Sequence, residues 1–243
     1  MAERAQASRA VLIGATGAVG RNVLDAVLHS PHFIAATTLG RRKLPADDPL
    51  AASQKLTEHV VDLAAPESYK ALLGGHDTAF CTLGVGQPSK MPESEVRRIE
   101  IDTVLAFAAA CKERGVCHFT LMTSVGTDPR SRVKYLRMKA ELEQGVADLG
   151  FARCTLARPS MLLTPQNRYG ATQGLLLAVW PRLDLVLGGP LRKYRGISVQ
   201  TLGQALVRNA ERLAPPGRPA APVEILEWDD FTQLTAAAKS RAG

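Results

Sequence analysis

Cysteine, histidine and aromatic residues are few in this chain, and none is spaced for the chemistry it could carry. The four cysteines, Cys81, Cys111, Cys117 and Cys154, form no C-x-x-C pair, and each sits in an apolar context. They read as buried thiols in a reducing compartment. The five histidines, His29, His32, His59, His76 and His118, lack H-E-x-x-H or similar spacing, so no metal site is expected. Aromatics make up 5% of the residues and do not interleave with basic ones, and no long basic run appears, which argues against a nucleic-acid surface. Residues Met1 to Arg9 lack an apolar signal core. The most hydrophobic stretch, Gly174 to Trp180, is too short to span a bilayer. These absences predict a soluble, cytoplasmic protein with no membrane span. Internal repeats and low-complexity linkers are missing too.

What is present suits one α/β domain. The chain has 243 residues, 46% of them hydrophobic, enough for a large core. Its net charge is +7, with the basic residues scattered apart from small clusters at Arg41-Arg42-Lys43 and Arg192-Lys193-Tyr194-Arg195. That pattern fits an anionic small ligand and a generally basic surface.

The stretch from Ala10 to Leu24 carries the most information. Ala10 to Ile13 reads as a buried strand. Gly14, Gly17 and Gly20 follow, and Val19, Val23, Ala26 and Val27 then repeat at helical spacing. Strand, glycine turn and helix make the context of a dinucleotide-binding fingerprint. Gly14 permits the tight turn, Gly17 lets a pyrophosphate approach the backbone, and Gly20 lets helix and strand pack closely. The free N–H groups of the helix start and the helix dipole both favour phosphate there.

Strand and helix signals then alternate, which predicts a Rossmann-type, doubly wound parallel sheet with helices on both faces. Strands are expected at Phe33 to Leu39, His59 to Leu63, Thr78 to Leu83, Val116 to Ser124, Cys154 to Leu163 and Val223 to Glu227. Helices are expected at Pro66 to Leu73, Glu93 to Glu113, Tyr135 to Leu149 and Val199 to Leu213, with a closing one from Asp230. Gly170 to Leu187 reads as an apolar helical stretch interrupted by Pro181, and its segment Gly174 to Leu187 as a lid, a dimer contact or, by default, core. Residues from about 10 to 163 form the cofactor half, and those from about 164 to 243 a small C-terminal substrate lobe.

At the end of the second strand, an acidic residue would accept hydrogen bonds from the ribose hydroxyls of NAD. This chain has Arg41 and Arg42 there instead, which pair with a 2′-phosphate and so point to NADP(H). Asp62 and Leu63, ending the third strand, are placed to meet the adenine. Leu83 and Gly84, ending the fourth, are placed on the nicotinamide side. Ser124 closes the fifth strand, and Tyr135 and Lys139 follow one helical turn apart on one face. Carbonyl reduction needs such a set: Tyr135 to protonate the oxygen, Lys139 to favour the phenolate and hold ribose hydroxyls, Ser124 to position the substrate. Thr123 is the alternative to Ser124. Asp128, Arg130 and Arg132 read as solvated.

These residues resemble the atypical branch of the short-chain dehydrogenase/reductase superfamily, and more closely the Tat-interacting-protein-like oxidoreductases and their bacterial relatives. The matching segments are Gly14 to Arg21, Leu39 to Leu44, Val60 to Asp62, Gly75 to Asp77 with Cys81 to Gly84, Cys117 to Phe119 leading to Ser124, Tyr135-x-x-x-Lys139, and Arg158-Pro159 with Leu162-Leu163. The resemblance implies NADPH contacts through Thr16, Gly17, Ala18 and Val19, through Arg41 and Arg42, Leu83 and Gly84, Tyr135 and Lys139, and through Leu162, with Arg168 the counterpart of a further arginine. It implies an NADP-dependent oxidoreductase acting on a small carbonyl or quinone-like substrate. The alternative is an NADPH-sensing regulator that binds a protein partner with little turnover. A sugar-nucleotide epimerase fits less well, because the residues after Leu163 are few for its substrate domain. A protein partner and a homodimer both stay open.

Overall fold

The computed structural model describes residues 7–164, 187–212 and 223–239. Its centre is a seven-stranded sheet whose described pairings are all parallel, in the order β3-β2-β1-β4-β5-β6-β9. The strands are β1 (Ser8–Ile13), β2 (Phe33–Gly40), β3 (Leu56–Val60), β4 (Thr78–Cys81), β5 (His118–Met122), β6 (Arg153–Ala157) and β9 (Val223–Leu226). A separate two-stranded ribbon pairs β7 (Leu162–Leu163) with β8 (Ile197–Ser198). The inner strands are covered on both faces, so β1 from Ala10 and β4 from Ala79 read as unbroken apolar runs rather than alternating ones.

One face packs against α1 (Ala18–His29), α5 (Val199–Glu211) and α6 (Trp228–Lys239), in a core that includes Val23, Val27, Leu202, Leu206 and Phe231. The opposite face packs against α3 (Thr103–Glu113) and α4 (Lys134–Asp148), and its core is threaded by the rings of Tyr69, Phe107, Phe119 and Phe151. The described residues after 187 thus add a strand and two helices to these same layers. No described helix is long and apolar enough to cross a membrane.

Several expected boundaries move, each for a physical reason. The third strand runs Leu56–Val60 rather than His59–Leu63. It is an edge strand bonded only to β2, and the apolar residues after it turn back over the sheet, where Leu63 is buried. The sixth strand stops at Ala157 instead of reaching Leu163, because Pro159 has no N–H to donate and the chain leaves the sheet there. The helix from Glu93 to Glu113 is interrupted. It comprises α2 (Glu93–Arg97), a π turn (Arg98–Asp102) and α3. Pro66–Ser68 and Lys70–Leu73 are two 3-10 turns rather than one helix. Three cysteines are buried as expected, but Cys117 is exposed, since it lies in the turn just before β5. The apolar segment Gly174 to Leu187 lies outside the described residues, save for its last residue.

Candidate active site

The strand order reverses between β1 and β4, which leaves a crevice at the carboxyl ends of these strands. The glycine turn sits in it. Gly14 has φ +81°, and a Cβ there would lie 2.7 Å from the Leu83 nitrogen of the neighbouring chain segment. A Cβ on Gly20 would lie 2.1 Å from the Gly14 oxygen and 2.5 Å from Thr82 Oγ1. Only glycine lets α1 start this close to β1 and β4. Gly17 is the N-cap of α1 and offers no side chain, so no side-chain cap covers the amides that open the helix. Those open amides are the cradle a diphosphate needs, and Cβ atoms on Gly14 or Gly20 would drive into the backbone that shapes it.

A cavity of about 370 Å³ continues from this turn, lined by Gly14, Thr16, Arg41, Arg42, Leu63 and Leu83, among others. Both arginines are exposed and neither forms an ion pair among the described residues. Glu58 of β3 also borders the cavity, and its Oε1 accepts from the Leu44 N–H at 2.9 Å, which holds the arginine loop against the sheet. Arg21 and Asp48 clamp the far side of that loop through two bonds of 2.9 Å. Asp62 is exposed and does not line the cavity. Its carboxylate accepts from the Ala64 N–H at 2.9 Å and closes a turn. Of that pair, Leu63 lines the cavity and Asp62 closes the turn beside it.

On the other side of the crevice, Tyr135 and Lys139 share one face of α4, with the Lys139 Nζ 5.5 Å from the Tyr135 ring centre. Tyr135 is half-buried and Lys139 is 3% exposed. Ser124 lies two residues past β5, with its Oγ donating to the Val125 oxygen at 3.3 Å. Its neighbour Thr123 points into the protein and donates to Glu143 Oε1 at 2.6 Å. Glu143 in turn holds Arg158 through bonds of 2.9 and 2.5 Å. Thr123 is therefore engaged in the interior, whereas Ser124 makes a single long local bond. Leu162 is half-buried in β7, and Arg168 lies outside the described residues.

One residue of the site was not anticipated. Glu100, in the π turn, is buried and sits 2.8 Å from Lys139 Nζ through its Oε2. Its charge adds to the effect of burial on the phenol. The spacing predicts a Tyr135 acidified by Lys139, but burial first and the Glu100 charge second push the phenol above its ordinary range. Lys139, paired with Glu100, keeps two of its three ammonium donors for other partners. A signal for Glu100 existed: it falls four residues after Val96 and four before Val104, on the apolar stripe of its helix.

The chain matches a family model described as NAD(P)H-binding over residues 14–174. Protein HTATIP2 of Rattus norvegicus is 35% identical over 63% of this chain, and the match covers 62% of the rat protein, less than two thirds of its length. Protein FMP52, mitochondrial, of Candida glabrata is 29% identical over 91% of this chain and 95% of its own. The solved structure of MoeE5 in complex with UDP-glucuronic acid and NAD shares the fold at a TM-score of 0.67 and 17% identity, covering 96% of this chain and 82% of that one. The fungal relatives correct the expectation of a cytoplasmic protein. Those of Coccidioides immitis, Emericella nidulans, Candida glabrata and Neurospora crassa are all named as mitochondrial. Composition records what a fold needs to be soluble, not where it is sent. The glycine cradle, the crevice at the strand reversal and the matched segment agree: the chain belongs to the NAD(P)H-binding family and resembles HTATIP2.

Proposed function

We propose that the chain is an NADPH-dependent oxidoreductase that reduces a small carbonyl or quinone-like substrate, with Tyr135 as the proton donor. The observation that carries this reading is a half-buried phenol beside a charged pair, across the crevice from an uncapped helix start. Bound at the glycine turn, the dinucleotide would supply the hydride. The chain's residues do the rest. The amides opening α1, at Ala18, Val19 and Gly20, take the diphosphate, with Thr16 at its side. Arg41 and Arg42 take the 2′-phosphate, which their exposure and lack of ion pairs favour. Leu63, Leu83 and Gly84 border the bases, and Leu162 closes the far end. Ser124 orients the substrate oxygen, and Tyr135 gives it a proton as negative charge develops. An intact proton donor favours turnover over a purely sensing role, which needs none.

The test is Tyr135→Phe. NADPH affinity should stay within about threefold of wild type, while NADPH consumption with a panel of carbonyls and quinones falls by two to four orders of magnitude, roughly the contribution of a general acid. Equal consumption by the variant and the wild type would refute the assignment.

A further inference from the structure

Glu100 commits its two oxygens in different directions. Oε1 accepts from the Val85 N–H at 2.6 Å, which ties it to the loop that leaves β4. Oε2 lies 2.8 Å from Lys139 Nζ. The same ammonium lies 5.5 Å from the Tyr135 ring centre, so carboxylate, ammonium and phenol form one cluster. Its side chain is 1% exposed, so water does little to screen it. The π turn that carries it interrupts an otherwise α-helical stretch, and such wide turns recur at functional sites because they re-aim a side chain.

We propose that Glu100 is a positioning residue for Tyr135 and Lys139: by holding the Lys139 ammonium in an ion pair, it keeps the phenol a proton donor, so the site serves carbonyl reduction and serves alcohol oxidation poorly. This rests on the reductase reading above. In reduction, the carbonyl carbon gains a hydride from the nicotinamide, the phenol O–H breaks and the alcohol O–H forms. A proton from water then restores the phenol, so one proton is consumed for each dinucleotide oxidised. Oxidation runs these steps backward and needs Tyr135 as a phenolate to accept the alcohol's proton. A carboxylate alongside disfavours that second anion.

The groups that face this cluster leave Glu100 as the deciding charge. From its own helix, Tyr135 meets Lys139, already paired with Glu100. From β4, the buried Cys81 thiol feels both Lys139 and Glu100, and burial pushes it up to about 12, so it stays neutral. Glu143, the next acid along α4 on this side, is spent on Arg158 and Thr123.

The experiment follows the Tyr135 ring carbon by NMR in protein labelled with ¹³C-tyrosine, with the signal assigned by its loss in Tyr135→Phe. In wild type the phenol should remain protonated beyond about pH 10, where an ordinary tyrosine titrates. In Glu100→Gln it should ionise about one to three pH units lower than in wild type, the usual reach of a neighbouring charge. Glu100→Asp keeps the charge and should stay close to wild type. Ionisation of wild-type Tyr135 at or below about pH 10, or the same titration in wild type and Glu100→Gln, overturns the proposal. The wild-type measurement needs no variant, so a misfolded Glu100→Gln protein leaves the first criterion standing. The titration uses neither cofactor nor substrate. A failure of the reductase reading would show instead as absent NADPH binding or as undiminished turnover by Tyr135→Phe.

Discussion

Acidification should loosen this fold earlier than its carboxylates alone would dictate, through His118. The imidazole begins β5, 7% exposed, and its Nε2 lies 2.9 Å from Thr155 Oγ1 of β6. Thr155 donates its own proton to Glu224 Oε1 of β9 at 2.6 Å, and Asn209 of α5 donates to both. Since Thr155 has given its proton away, it must accept from His118, which fixes the proton on Nε2. Burial first, and the nearby Arg153 second, hold the imidazole pKa down to about 3, against the opposing pull of Glu224. An unfolded histidine titrates near 6.5. Below that pH the unfolded chain binds a proton that the folded chain refuses, so stability falls as pH falls. From about pH 7.5 to 4.5 the loss is about 2.7 kcal/mol, two pKa units at 1.36 kcal/mol each.

That window suits measurement, because most carboxylates stay ionised within it in both states. His76 is also held down by burial and contributes with the same sign, so the comparison must be with a variant that changes His118 alone. His118→Gln keeps a donor for Thr155 and removes the titration. Urea unfolding followed by circular dichroism at half-unit pH steps should give wild type the steeper decline, by about 2.7 kcal/mol across the window. Parallel declines, within about 0.5 kcal/mol, would mean that the imidazole is not held neutral by its surroundings and would refute the reasoning.

Three further outcomes can be checked directly. Replacing Arg41 and Arg42 together with alanine should weaken NADPH about 10- to 100-fold, the low end for charge-assisted bonds at an exposed site, and NADH by less than about threefold. Fluorescence titration with both dinucleotides reads this, and equal losses would remove the 2′-phosphate role. Gly20→Ala drives a methyl into the Gly14 carbonyl and should cost about 1–3 kcal/mol in urea unfolding as well as cofactor affinity, whereas an unchanged midpoint would mean that α1 can shift away from β1 without cost. Arg158→Met strands the buried Glu143 and should cost about 3 kcal/mol, much of it regained in Arg158→Met/Glu143→Leu, and a double variant no better than the single one would argue against the buried pair.

Much of the architecture was legible because parallel strands covered on both faces must be apolar along their whole length. Val11 to Ile13 and Thr78 to Cys81 could hardly be anything else once Gly14 and the helical repeat of α1 were seen beside them. Legibility failed at the sheet's margins. Strand β3 has one partner strand and one-sided burial, so its hydrophobic pattern is weak and its apolar neighbours Val61 and Leu63 drew the boundary too late. At Pro159 the sequence does carry the stop signal, yet the apolar Leu162 and Leu163 beyond it read as continuation. They belong instead to a ribbon whose other strand lies some 35 residues on, a pairing no local pattern encodes.

The active site shows the sharper limit. Spacing along α4 places Tyr135 over Lys139 because a helix is periodic, and that much holds. What spacing cannot supply is the charge that arrives from another element. Glu100 is 39 residues away from Lys139 in sequence, and the π turn that carries it leaves no residue signature of its own. An acid on an apolar helical stripe is nonetheless a costly thing to bury, and a protein keeps one only where a cation or a donor waits for it. Read that way, the stripe Val96, Glu100, Val104, Ala108 demands a buried partner, and the one buried lysine among the described residues is Lys139. The pair of motifs, neither decisive alone, together imply that the lysine's charge is answered before the phenol can use it.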